Sequence, residues 1–77
     1  DLERAVRRIR QAVERAEPVL VFGDYDADGL TASALLVEAL RRIGLDPACR
    51  IPHRLREGYG LQPEVVEEAA RNGIRLI

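Results

Sequence analysis

Val19-Leu20-Val21-Phe22-Gly23-Asp24-Tyr25-Asp26-Ala27-Asp28-Gly29 is the stretch on which the reading of this chain turns. Its first four residues are apolar without a polar alternation, the pattern of a short parallel strand covered on both faces. Three carboxylates then follow at alternate positions between two glycines. Carboxylates held this close repel one another unless a cation joins them. Hard divalent cations such as Mg²⁺ or Mn²⁺ take oxygen ligands of this type. Gly23 and Gly29 are expected to let the backbone turn tightly around the cluster. In an extended turn, side chains alternate, so Asp26 and Asp28 project to the same side. An acidic first turn of a helix is the simpler explanation, because carboxylates satisfy free N–H groups there. One Asp meets that need, and three in five residues exceed it. The expectation is a metal site at the end of a buried strand.

Outward from this stretch the chain alternates helices and strands. Leu2, Ala5, Val6, Ile9, Ala12, Val13 and Ala16 recur with the 3.6-residue period of an amphipathic helix over 2–16, and Pro18 closes it. Leu30–Ile43 reads as a second helix, apolar nearly all round until Glu38, with Gly44 as its stop. Ala48–Ile51 reads as a weaker strand and 52–62 as a loop. Pro63 suits the first turn of a third helix, with Val65, Val66, Ala69 and Ala70 on its inner side and Asn72-Gly73 at its end. Ile74–Ile77 reads as a third strand. The order α-β-α-β-α-β predicts an α/β fold with a parallel, doubly wound sheet. Ligands of such sheets bind beyond the carboxyl ends of the strands. The loops 23–29 and 52–60 both follow strands, so they are expected to converge on one edge. Because the sequence stops inside a strand, the chain is expected to be part of a larger protein. Residues 1–17 form its N-terminal helix, and 18–77 the first part of a truncated domain.

Composition narrows the classes further. The chain has 77 residues, enough for one small domain, and a net charge of −1, so no global basic field announces nucleic acid. All 12 basic residues are Arg, a side chain suited to bidentate phosphate contact, although coding-sequence bias explains the same preference. Cys49 stands alone in a strand-like run, which excludes a disulfide framework and predicts a small buried hydrophobe. The absence of a signal or transmembrane run favours a cytoplasmic protein.

Spacing separates the acidic turn from several known patterns. An EF-hand loop opening at Asp24 needs a bidentate Glu at its twelfth position, where Leu35 stands, and a preceding helix rather than a strand. A Walker loop needs a Lys, and the chain has none. Phosphatases of the haloacid dehalogenase type also place Asp-x-Asp after a first strand. In that reading Asp24 is the nucleophile and Asp26 the acid/base, but those enzymes usually insert further structure before the first helix.

The longer string from Val21 through Leu35, and Ile51-Pro52-His53-Arg54-Leu55-Arg56-Glu57-Gly58-Tyr59-Gly60-Leu61 after the second strand, resemble segments of the DHH phosphoesterase superfamily, most closely its RecJ branch. Related oligoribonucleases and manganese pyrophosphatases carry a His where this chain has Asp24. The resemblance covers residues 18–77. It implies a DHH-type sheet and two Mn²⁺ or Mg²⁺ ions in the complete domain. Asp24, Asp26 and Asp28 match metal ligands, with Asp26 and Asp28 also catalytic. The Asp-His-His triplet and the remaining ligands are expected beyond Ile77, so this stretch alone is expected to be inactive.

His53, Arg54 and Arg56 are candidates to bind substrate phosphate, Arg54 through its planar fork. Tyr59 is a candidate to stack on a base, with a packing role equally open. Tyr25 is expected to pack rather than to touch substrate. The implied activity is 5′→3′ exonuclease action on single-stranded DNA in repair and recombination, with single-strand-binding or helicase partners and no membrane. Another phosphoesterase, or a non-catalytic interaction module, remains open.

Overall fold

The computed structural model describes residues 1–52 and 60–77. Its elements are α1 (Leu2–Arg15), β1 (Leu20–Phe22), α2 (Ala27–Arg42), β2 (Ala48–Arg50) and α3 (Pro63–Arg71). β1 and β2 pair in parallel, with Leu20 opposite Ala48, Val21 opposite Cys49 and Phe22 opposite Arg50. On the other edge of β1 the expected third strand is reduced to a single parallel bridge, Val19 to Leu76. Two hydrogen bonds hold it: Leu20 N–H donates to the Leu76 carbonyl at 2.9 Å, and Arg75 N–H to the Pro18 carbonyl at 2.9 Å. β1 therefore lies between β2 and the 75–76 segment.

Alternation along Val19–Phe22 explains why all four apolar positions of that run are needed. Val19 and Val21 belong to a core with Ala12 of α1, Leu40 of α2 and Leu45, against which Ile9, Val13, Val37 and Leu76 pack. Leu20 points the other way, into a second core with Val65 and Ala69 of α3, flanked by Phe22 and Ile74. Successive strand residues face opposite sides of a sheet. With α1 and α2 on one side and α3 on the other, neither set can be polar. This is the doubly wound α/β arrangement that the sequence predicts.

Local signals account for the ends of the elements. Asp1 caps α1 by accepting from Arg4 N–H at 2.8 Å. That helix ends at Ala16, whose φ of 51° is left-handed, before Pro18 can interrupt it. Ala12 is fully buried, so α1 shares the core of β1. An ion pair closes its carboxyl end: Arg8 meets Glu17 at 2.5 Å and also donates to the Arg75 carbonyl at 3.0 Å. The Glu17 side chain is only 10% exposed. A second ion pair, Arg50 to Glu68 at 2.5 Å, ties β2 to α3.

Further expectations change, and on α3 Val65 and Ala69 of the expected inner residues are buried whereas Val66 and Ala70 are exposed. α2 starts at Ala27, not Leu30, so Asp28 lies inside the helix rather than in an extended turn. Its apolar character does not bury it all round: Ser33 and Leu40 are buried, whereas Leu30, Leu35, Leu36 and Ile43 are exposed. Cys49 is exposed, because β2 is an edge strand of the described sheet, paired through β1 alone.

Candidate metal site at the carboxyl edge of the sheet

Gly23 continues the ladder beyond β1, its N–H donating to the Arg50 carbonyl at 3.1 Å. Asp24 and Tyr25 follow, both half-buried, and Asp26 begins the helix. The N-cap of α2 is Asp26 itself. Its backbone is extended, and its Oδ1 accepts from Gly29 N–H at 2.7 Å. This satisfies one of the amides that a helix start leaves free. Ala27, Asp28 and Gly29 are then the first, second and third helical residues. Asp28 adds negative charge in the first turn, where the helix dipole favours it.

The acidic turn thus divides into unlike parts. Asp26 performs the capping role that the simpler explanation assigned to it, with one carboxylate oxygen. Asp28 is exposed on the helix, and Asp24 lies on the strand side of the cap. The extended turn from which Asp26 and Asp28 were expected to project together is replaced by a helix start, with Asp26 as the extended N-cap and Asp28 the second helical residue. Among the described residues, no three His, Cys, Asp or Glu side chains are gathered to hold a metal ion by themselves.

The two glycines work differently from their expected role. Neither has a positive φ, so neither supplies a left-handed turn. Each instead permits a close approach. A Cβ on Gly29 would lie 2.6 Å from the Asp24 carbonyl oxygen and 2.6 Å from Asp24 Cβ. A Cβ on Gly23 would lie 1.8 Å from Ser33 Oγ and 3.1 Å from Ile51 Cδ1. α2 is therefore seated directly on the backbone that leaves β1. Sequence reading missed Ser33, which is 5% exposed and packs over Gly23. Its available signal was a small residue on the inner face of an otherwise aliphatic helix.

Ile51, against Gly23, brings the chain after β2 to the same edge as the acidic turn. His53, Arg54, Arg56 and Tyr59 lie outside the described residues. The donor chemistry fits a hard divalent cation, since Asp24, Asp26 and Asp28 offer carboxylate oxygens at one sheet edge. These residues fit as part of a ligand set rather than as a closed site. No helix among the described residues is long and apolar enough to cross a membrane.

No family model matches the chain. Its sequence is 44% identical over 77 residues to the single-stranded-DNA-specific exonuclease RecJ of Dickeya dadantii, covering 99% of this chain and 13% of that protein. It is 46% identical over 67 residues to RecJ of Thermus thermophilus, covering 87% of this chain and 10% of that protein. Escherichia coli RecJ is 42% identical over 77 residues, again covering 99% of this chain and 13% of the relative. The chain thus spans a small part of the proteins it matches. Its fold matches a crystal structure of exonuclease RecJ bound to manganese with a TM-score of 0.85 and 43% identity, over 94% of this chain and 19% of that one. In sequence and in fold alike, the chain is a RecJ-like segment and carries the architecture of one part of the RecJ DHH domain.

Proposed function

We propose that this segment contributes to metal-dependent phosphodiester hydrolysis, as part of a 5′→3′ exonuclease acting on single-stranded DNA in repair and recombination. The observation that carries the reading is the acidic turn itself. Asp24, Asp26 and Asp28 leave the carboxyl edge of β1 in a chain whose fold matches RecJ with manganese bound. Residues 1–17 supply the leading helix and residues 18–77 the first part of the DHH domain. Asp24, Asp26 and Asp28 hold Mn²⁺ or Mg²⁺ together with ligands from elsewhere in the protein, Asp26 and Asp28 serving catalysis as well. When bound, such ions supply Lewis-acid stabilisation of the charge that develops on a phosphodiester.

The chain's own residues do the remaining work. Asp26 fixes the start of α2, and α2 in turn seats Asp24. Three carboxylates alone repel a phosphate, so positive partners are required at the same edge. His53, Arg54 and Arg56 follow β2, whose carboxyl end lies beside Gly23. They are assigned to substrate phosphates, Arg54 by a bidentate contact. Tyr59 is assigned to a base by stacking. Single-strand-binding or helicase proteins are the expected partners, and the cytoplasm the expected place of action.

The test uses the full-length gene product and a single strand labelled at either end. With Mn²⁺ or Mg²⁺, mononucleotides should be released from the 5′ end, and a chelator should stop release. Undiminished hydrolysis in excess chelator would contradict the metal role, and release from the 3′ end would contradict the polarity.

A further inference from the structure

Gly29 occupies the third position of α2, where glycine is a poor helix former. Its φ is not positive, so conformational freedom does not explain its presence. Space does. A Cβ at this position would lie within 3 Å of the carbonyl carbon, carbonyl oxygen and Cβ of Asp24. These are not the far end of a flexible side chain. The clash is relieved only by moving Asp24 or the first turn of α2. The same residue's N–H holds the carboxylate of Asp26 at 2.7 Å. One glycine therefore bears on two of the three acidic residues, on the backbone and Cβ of Asp24 through its missing side chain and on the carboxylate of Asp26 through its N–H. At Gly23 the same helix makes a second close approach, with the buried Ser33 over the bare Cα.

We propose that Gly29 is a positioning residue for Asp24: its bare Cα lets α2 press on the Asp24 backbone and so fixes where that carboxylate stands relative to Asp26. The proposal rests on the reading of Asp24 as a metal ligand. It assigns Gly29 no contact with metal or substrate.

The experiment uses the full-length gene product and Mn²⁺ alone as the probe, with free Mn²⁺ followed by its paramagnetic resonance signal. Gly29→Ala is compared with Asp24→Ala and with Leu40→Ala, a core change on the same helix. Changes around metal ligands typically cost about 10- to 100-fold in affinity, and a loss of that size is expected for Gly29→Ala. Its circular dichroism, and its single-stranded DNA binding in chelator, should stay as in the wild type. Leu40→Ala should lower Tm and leave Mn²⁺ affinity unchanged.

Wild-type Mn²⁺ affinity in Gly29→Ala, with Asp24→Ala weakened, overturns the positioning role. So does a loss shared with Leu40→Ala in proportion to Tm. Wild-type affinity in Asp24→Ala itself means that the ligand reading has failed, a distinct result that also removes the proposal. Ser33→Ala loosens the same junction without adding an atom and should weaken Mn²⁺ binding less than Gly29→Ala. If Gly29→Ala does not fold and Ser33→Ala binds Mn²⁺ normally, Gly29 serves the fold alone and the proposal is wrong.

Discussion

α1 opens with Asp1-Leu2-Glu3-Arg4 and α2 with Asp26-Ala27-Asp28-Gly29. In each, an Asp caps the helix by accepting from the amide three residues on, at 2.8 and 2.7 Å. In each, a second carboxylate sits two residues after the cap. By local chemistry these starts are equivalent, so Asp26 and Asp28 taken alone signal a well-capped helix and nothing more. The difference lies in what precedes and what presses. Before Asp26 comes Asp24, on backbone leaving a buried strand, and Gly29 replaces Arg4 so that the helix can sit against it. A metal reading of the second start therefore depends on Asp24 and on the junction, not on the count of acids.

Asp24→Ala should produce a large effect on turnover with little on stability, because it removes a ligand that, unlike Asp26, caps no helix and has no counterpart in the first helix. In the full-length protein Mn²⁺-dependent turnover should fall by more than the ~100-fold that changes beside ligands cost. Tm without metal should stay close to the wild type. Single-turnover kinetics and a thermal scan check both; retained turnover would leave the two helix starts functionally alike.

Asp26 comes next, because capping and metal binding can be separated there. Asp26→Ala should cost about 1 kcal/mol of stability in the metal-free protein, since an N-cap is lost. Asn caps as well as Asp, so Asp26→Asn should hold stability within a few tenths of a kcal/mol. Both should weaken Mn²⁺ binding if the carboxylate is a ligand. Denaturant unfolding together with Mn²⁺ titration decides the matter. Normal Mn²⁺ affinity in the Asn variant would reduce Asp26 to the role that Asp1 plays.

The sequence made some of this visible and concealed the rest. Val19–Phe22 lacks polar alternation because Val19 and Val21 enter one core and Leu20 the other, so composition and topology agree. Ile74–Ile77 also reads as a strand, with Arg75 interrupting its apolar run, but is held in the ladder at one bridge, which depends on pairing rather than on composition. The start of α2 was not legible, since Gly29 looks like a turn residue and only the Asp26 cap reveals that the helix is already under way. Nor was the function of the glycines, because close approach between segments is a tertiary fact. The apolar face of α2 illustrates the converse. Leu35 and Leu36 look like core residues and are exposed among the described residues.

Asp1→Ala should have the smallest effect, and it sharpens the comparison by testing the counterpart that carries no Asp24. The cap bond to Arg4 is lost, which typically costs about 1 kcal/mol. Here the loss should fall toward ~0.5 kcal/mol, the low end for caps. Leu2 is 80% exposed and Val6 is also exposed, so the first turn of α1 buries little and can fray without opening the core. The helix is held further along, by Ala12 in the core and by Arg8 on Glu17 and the Arg75 carbonyl. Amide exchange resolves this residue by residue. Exchange at Arg4 should accelerate in Asp1→Ala while Ala12, Gly29 and Leu40 keep their protection, and Mn²⁺ affinity should not move. If Gly29 lost protection too, the two helix starts would be energetically coupled through the core, and the Mn²⁺ effects of the Asp26 variants could no longer be assigned to the acidic turn alone.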